Sequence, residues 1–513
     1  PIVGQTLTAS NTLSDPDGMG IISYQWQRNG SPIILGGDLK SGENGVSGMA
    51  GSRNSVVSPD GYHVYVGGYS DGTISWFKRD PHSGNLQFVG KLTQGVNGVD
   101  GLTSVAGIGF SPSGEHVYIS SGWGGNAISW YDRNASSGAL TWQGVIKDDQ
   151  GGADGLYSPG KLVVSPKGTH VYVTAYDDDA VSWYQRNPVS GDLTWLGVAK
   201  DGVDGVDGLD GARDLLLSKD GKFLFISGAV DSAIAWFDRN DSTGALAYLG
   251  LVRDGANGVD GLGAVTSIAS NPSGSTLYAS SQHDHSVAWF DRNASDGSLI
   301  YVNIIKNGDP GINSLNITSS LETSPDGKHL YCTGGRTDGN SSVNLFDINS
   351  SPGGLVHRNS YVALKDGDNL LNGIWSFSLS PDGRNLYASS SQYSSVAWFV
   401  RDGMLGELLR GTTGGASHLL STADQGAAIS LQVFYTDGGG YSESLSSYPT
   451  ANVNAMHQPS RPTHFASSAA NLEMIWVEPG TFTMGSPTTE IGRGTDETEH
   501  NVTLTNGFYL GKY

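Results

Sequence analysis

Short apolar runs return along this chain with a fixed rhythm, separated by turns rich in Gly, Asp and Ser. A run such as Leu162-Val163-Val164 ends in a Ser-Pro-x-Gly turn, a second such as Val171-Tyr172-Val173 follows, then a Trp-bearing run, then one such as Leu193-Thr194-Trp195-Leu196. This third run comes seven times, with Trp in six copies and Leu345 in the other: Ser75-Trp76-Phe77, Ser129-Trp130-Tyr131, Ser182-Trp183-Tyr184, Ala235-Trp236-Phe237, Ala288-Trp289-Phe290, Asn344-Leu345-Phe346 and Ala397-Trp398-Phe399. The steps between copies are 54, 53, 53, 53, 56 and 53 residues. Four short β-type runs in a period of that length predict four-stranded modules set in a closed radial array.

The turns repeat with the strands, at Ser58-Pro59-Asp60-Gly61, Ser111-Pro112-Ser113-Gly114, Ser165-Pro166-Lys167-Gly168, Asn271-Pro272-Ser273-Gly274, Ser324-Pro325-Asp326-Gly327 and Ser380-Pro381-Asp382-Gly383. Proline presets φ at the second turn position and glycine takes the position a side chain would crowd, so each is a tight hairpin. Blades that pack face to face bury their middle strands on both sides, which predicts continuous apolar runs such as Phe223-Leu224-Phe225-Ile226. The repeated Trp is placed between neighbouring blades, where truncation to Ala costs roughly 3–5 kcal/mol.

Three resemblances follow from these residues and their flanks. The repeat, as in Ser380-Pro381-Asp382-Gly383-Arg384-Asn385-Leu386-Tyr387 followed by Val396-Ala397-Trp398-Phe399, resembles the β-propeller lactonase-like family, which includes the propeller type of 6-phosphogluconolactonase. The likeness covers roughly residues 36–412 and implies the fold more firmly than the activity, because many such propellers only bind. Gly4-Gln5-Thr6-Leu7-Thr8-Ala9 through Ile22-Ser23-Tyr24-Gln25-Trp26-Gln27-Arg28 resembles the first strands of a bacterial immunoglobulin-like adhesion repeat. The complementary half comes only after the propeller, at Thr422-Ala423-Asp424-Gln425-Gly426-Ala427-Ala428-Ile429-Ser430 and Tyr435-Thr436-Asp437-Gly438-Gly439. The propeller is therefore expected to be inserted into one sandwich, entering near Ile34 and leaving near Gly414, a geometry that needs guest termini lying close together. At the seam, Ile33-Ile34-Leu35 either serves the sandwich or competes with Glu407-Leu408-Leu409 for the outer edge of the last blade.

Past a Pro/Ser/Ala-containing linker, Met474-Ile475-Trp476-Val477-Glu478-Pro479-Gly480-Thr481-Phe482-Thr483-Met484-Gly485-Ser486, His500-Asn501-Val502-Thr503-Leu504 and Phe508-Tyr509-Leu510-Gly511 resemble the opening of the formylglycine-generating enzyme, or sulfatase-modifying factor, family. Members that oxidise a substrate cysteine use a late cysteine pair and copper, and neither cysteine maps onto this chain, so copper is implied only for a longer, catalytic form. The expected fold is all-β, a seven-bladed propeller inserted in a β-sandwich, plus the truncated start of a C-terminal α+β domain. The expected boundaries are 1–34 and 414–456 for the sandwich halves, 35–413 for the propeller, 457–471 for the linker and 472–513 for the last fragment.

Composition narrows the function classes. Twenty-nine basic against 50 acidic residues give a net charge of −21, which argues against nucleic acid and anionic membranes as partners. No apolar run approaches the roughly 18 residues of a membrane-spanning helix. Cys332 is the single cysteine, which excludes an intramolecular disulfide and a multi-cysteine zinc site. Low Lys with 74 Gly and abundant Ser, Asn and Asp fits an extracellular or cell-surface bacterial repeat protein. The chain opens at Pro1 without Met and reads as an excerpt, so the absence of a signal peptide says nothing.

Two sets of residues carry candidate chemistry. Gly/Asp loops between successive blades, such as Asp201-Gly202-Val203-Asp204-Gly205-Val206-Asp207-Gly208, would ring one face, where Asp100, Asp204, Asp207 and Asp260 could hold Ca²⁺. Asp and Asn before Gly also cap turns through their own backbone, which explains the composition without an ion. On the same face, the loops ahead of the Trp strands differ between blades and carry Asp71, Trp123, Asp178, Asp231, His283, His285 and Tyr393 as ligand-binding candidates. His283 and His285 are a close histidine pair that could bind a metal or act as general base. The recurring Arg79, Arg133, Arg186, Arg239, Arg292 and Arg401 read as structural because they repeat. The leading functional expectation is a binding scaffold for a small molecule, glycan or protein; a propeller lactone hydrolase, or a formylglycine-generating oxidase in a longer chain, is the alternative.

Overall fold

A computed structural model of the chain describes residues 6–8, 19–28, 31–32, 36–81, 83–335, 341–349, 354–362, 373–401, 408–409, 417–419, 426–437, 442–446, 449–454, 474–477, 480–484, 500–504 and 508–511. The linker 457–471, the run Ile33-Ile34-Leu35, the exit point near Gly414, the loop at Asp366 to Asn372 and the segment Thr422 to Gln425 lie outside the described residues.

Each sequence period folds as one antiparallel sheet of four strands, and the seven sheets surround an axis as a seven-bladed propeller. In the first blade the strands run outward from the axis as Asn54–Val57, His63–Gly68, Thr73–Arg79 and Leu86–Thr93. The innermost strands of the other six are Val105–Phe110, Pro159–Val164, Ala212–Leu217, Val265–Ser270, Leu321–Thr323 and Ile374–Leu379. Every second strand is buried along its whole length, as in Phe223–Gly228, because it is covered on both faces by the adjacent blades. No helix occurs among the described residues.

The repeated Trp packs each blade onto the next: Trp76 joins a cluster with Val105, Ile108, Val117 and Ile119 of blade two. Trp398 of blade seven does the same with Val57, Val64, Val66 and Phe77 of blade one, so the ring is closed. The indole lies over a glycine of its own outermost strand, where a β-carbon on Gly90 or Gly144 would sit only 2.7 or 2.3 Å from the ring. A register shift at the Trp makes that overlap possible.

Closure also uses the chain ahead of the first blade. Gly36–Lys40 pairs with Ser395–Phe399 of the seventh blade's third strand, and Leu408–Leu409 pairs with Val400 and Arg401 of the same strand. The two segments share the outer edge end to end instead of competing for it. Seven blades fastened by an early strand leave no open seam at which the ring could peel.

A second fastening repeats on the opposite face from the Gly/Asp loops. Arg133 of blade two is 1% exposed at its side chain and donates to the Tyr65 hydroxyl at 2.8 Å, the Gly114 carbonyl at 3.1 Å and the Asp60 carboxylate at 2.8 Å, with His63 Nδ1 at 2.9 Å. Arg79 repeats this across the closing seam with Tyr387, Gly61, Asp382 and Asn385, and Arg401 with Tyr331, Gly383, Asp326 and His329. The recurring arginines are thus inter-blade staples. Burial and the Arg133 charge push His63 down to about 4, and against its burial Asp60 is held below the usual carboxylate range by hydrogen bonds from Ser58 and the Tyr62 N–H and then by Arg133.

The flanks of the propeller pair with each other. Met19–Arg28 runs antiparallel to Ile429–Asp437, which continues to Ser442–Ser446, and Thr6–Thr8 pairs with Ser417–Leu419. Residues 454–513 form a second unit with two antiparallel pairs, Met474–Val477 with Phe508–Gly511 and Gly480–Met484 with His500–Leu504. No helix of the described residues is long and apolar enough to cross a membrane.

Candidate functional site

The loops leading into each blade and the loops ahead of the Trp strands meet on one face, and most of the sequence-selected residues there do the same work in several blades. The Asp71 carboxylate accepts the backbone N–H of Ala50, Asp178 that of Tyr157, Asp231 that of Asp210 and Asp284 that of Gly263, each bridging 21 residues. One position further on, Asn126, Asp179, Ser232 and His285 accept the N–H of Ser158, Gly211, Ala264 and Ile317. His285 is therefore a turn cap with φ of 51°, its Nδ1 taken by Ile317 at 3.1 Å, while His283 is exposed beside it. Lys40 lies over the ring of Tyr393, 5.8 Å from its centroid.

The carboxylates chosen for calcium are distributed among separate groups. Asp148, Asp154 and Asp178 converge within 4.8 Å, as do Asp201, Asp207 and Asp231, and Asp254, Asp260 and Asp284. A basic side chain at the end of the outermost strand reaches into each: Lys200 lies 2.7 Å from Asp154 and 3.3 Å from Asp178, Arg253 2.6 Å from Asp207 and 2.9 Å from Asp231, and Lys306 2.8 Å from Asp260. Asp100 has Lys147 at 2.7 Å and Gln94 at 2.9 Å. Asp204 stands at the exposed tip of its loop with φ of 51°. The counter-charge a cation would bring is supplied from within the chain.

Symmetry is broken elsewhere, at the funnel mouth. Five residues before each turn serine or asparagine, on or just ahead of the innermost strands, stand Arg53, Ala106, Gly160, Arg213, Thr266, Ser319 and Trp375. Side chains of one blade bond the carbonyls of this ring in the next, as Asn54 to Ala106 at 2.8 Å, Thr174 to Arg213 at 3.1 Å and Ser319 to Trp375 at 2.9 Å, which fixes the ring's geometry. The Arg53 guanidinium lies between two aromatic faces, 3.6 Å from the Tyr69 ring centroid and 4.2 Å from that of Trp375. Burial lowers the pKa of Arg53, and that of Arg213, where the Arg53 charge acts in the same direction against the Tyr176 and Asp214 charges. Among the described residues neither arginine is ion-paired with a carboxylate. Two guanidinium groups without an ion-pair partner among the described residues, close enough for the Arg53 charge to act on Arg213, make the funnel mouth a candidate site for an anion.

Next to it opens a cleft of about 500 Å³ lined by Tyr69, Ser104, Trp123, Gly124, Asn126 and Tyr157. Deeper in the channel, Glu322 accepts the Leu379 N–H at 3.0 Å, and burial raises its pKa to about 8 although the Lys161 charge opposes this. Of the sequence-selected residues only Trp123 lines this cleft. Arg53, Tyr69, Tyr157, Arg213 and Trp375 were missed; for Arg53, Arg213 and Trp375 the available signal was their ring position, which carries a different residue type in nearly every repeat, whereas Tyr69 and Tyr157 lie off that ring.

The solved structures this chain resembles share its fold. A candidate 6-phosphogluconolactonase from Bacteroides uniformis aligns at 18% identity with a TM-score of 0.55, covering 70% of this chain and 96% of that one. The periplasmic gluconolactonase PpgL of Pseudomonas aeruginosa aligns at 16% identity, also at 0.55, over 70% of this chain and 97% of its own. No curated protein matches the sequence. Residues 36–206 and 203–311 match the family described as lactonase, 7-bladed beta-propeller, and the chain belongs to that family.

Proposed function

We propose that the funnel mouth binds a small anionic sugar derivative, a sugar acid or the lactone of a phosphorylated one, with the carboxylate or phosphate held by Arg53 and Arg213. The observation that carries this is the Arg53 guanidinium stacked between Tyr69 and Trp375 with no carboxylate partner among the described residues. Stacking immobilises the arginine in advance, so little side-chain entropy is lost when the anion arrives. Isothermal titration with D-gluconate, 6-phosphogluconate and D-galacturonate tests it. Binding of at least one is expected, with a loss of about tenfold or more in Arg53→Gln and in Arg213→Gln. Absence of binding by all three, or binding unchanged in both variants, overturns it.

Family membership favours a second reading, hydrolysis of a lactone at the same place. The arginines would then stabilise the oxyanion that develops as water attacks the ring ester. Turnover of glucono-δ-lactone above the uncatalysed rate, abolished by Arg213→Gln, is the expected result; equal rates with and without protein remove this reading and leave binding.

The wider reading places the propeller on an extracellular or surface protein. The direct pairing of Met19–Arg28 with Ile429–Asp437 supports an immunoglobulin-like domain into which the propeller is inserted. The strand pairs of residues 454–513 are compatible with the start of a sulfatase-modifying-factor-like domain.

A further inference from the structure

We infer that the ligand is longer than one ring: an acidic oligosaccharide whose charged unit sits at Arg53 and Arg213 and whose neighbouring unit lies on Trp123 and Tyr157. The inference rests on the anion reading above and names its substrate class. Trp123 is 71% exposed and Tyr157 47%, side chains that a soluble surface seldom presents together at a cleft without use. Trp123 is held out by a tight turn in which Gly122 donates to Ser104 at 2.7 Å and Gly125 to Gly122 at 2.8 Å. The backbone that presents it is therefore held in place.

Two features say what lies on it. First, the platform and the anion site are continuous, because Tyr69 both stacks on Arg53 and walls the cleft. Second, the cleft is amphipathic: aromatic faces alternate with Ser104 and Asn126, whose side-chain oxygen takes the Ser158 N–H and leaves its NH₂ for a ligand. Pyranose rings have that character, with C–H faces that stack on aromatic rings and hydroxyl edges that accept and donate hydrogen bonds. A volume of about 500 Å³ takes more than one such ring in addition to the unit at the arginines. Two guanidinium groups select an acidic sugar at the inner end.

Isothermal titration of the full chain with oligogalacturonides of one to four units decides the matter. The trimer should bind at least about tenfold tighter than D-galacturonate. Trp123→Ala and Tyr157→Ala, both exposed and safe for folding, should erase that ratio while leaving the monomer's affinity unchanged; Arg53→Gln should weaken monomer and trimer alike. Equal affinities for monomer and trimer, or a ratio that survives both aromatic variants, overturn the inference but not the anion site, provided the monomer still depends on Arg53. Maltotriose binding as tightly as the acidic trimer overturns the charge assignment, and failure of every acidic probe overturns both readings.

Discussion

Two sets of arginines in one ring behave as opposites. Arg79, Arg133 and Arg401 repeat with the blades, each meets a tyrosine, an aspartate and a backbone carbonyl of its surroundings, and each is fully neutralised. Arg53 and Arg213 occur at a position that does not repeat and, among the described residues, neither is ion-paired, although the Asp214 charge acts on Arg213. Repetition with partners marks a group that holds the fold; singularity without them marks a group waiting for something the chain does not supply.

The largest way to test that contrast is by stability. Arg133→Ala removes at once the donors to the Tyr65 hydroxyl, the Gly114 carbonyl and the Asp60 carboxylate and should cost about 2–3 kcal/mol in denaturant unfolding. Arg53→Ala, which loses two stacking contacts but no ion pair, should move the same measurement by only about 1 kcal/mol while weakening anion binding about tenfold or more. Arg292 sharpens the point, because Phe225 and Phe223 stand where its siblings find Tyr and His, and its Nη1 has no partner. Arg292→Ala should cost only about 1–2 kcal/mol.

Acid should act on the staples first. The native pKa of His63 lies near 4, below its unfolded value of about 6.5, so the unfolded chain binds the extra proton and stability falls as pH drops through that window, levelling below about 4. His116, His170 and His329 are lowered for the same reason, burial against an arginine, and add to the slope. Asn385 fills the corresponding place in blade seven, bonding Arg79 at 2.6 Å, so His63→Asn should keep the neutral-pH stability and flatten the acid limb between pH 6.5 and 4 in urea titrations. An unchanged slope would remove His63 as its source.

Smaller effects should follow from single bonds. Trp130 donates to Asp192 at 3.0 Å and Trp398 to Asn85 at 3.2 Å, but Trp76, whose matching neighbour is Ala139, has a buried N–H without a partner. Ala139→Asp should stabilise the ring by about 0.5–1.5 kcal/mol, readable as a higher urea midpoint at constant m-value. Least of all, calcium should leave the melting midpoint unmoved, since Lys200, Arg253 and Lys306 already sit in the carboxylate groups; a midpoint that climbs with calcium and drops with chelator would show that the ion displaces them.

Periodicity alone laid out the blades, their hairpins and the indole between sheets, because each is a local rule repeated at fixed spacing: the Pro-Gly turn, the doubly covered second strand, the large residue facing a glycine. The face carrying the loops was legible too. What could not be read was which residues on it are equivalent: Asp178 and His285 look individual in the sequence, yet the structure gives each the same backbone N–H to accept as its counterparts in other blades. The proposed anion site was invisible for the converse reason. Arg53 and Trp375 lie more than three hundred residues apart and become stacked neighbours only when blade seven closes onto blade one. Local chemistry is written along the chain and determines the repeat; the meeting of first and last blades depends on ring closure, a long-range event with no local signature, and that closure decides where the two unpaired charges stand.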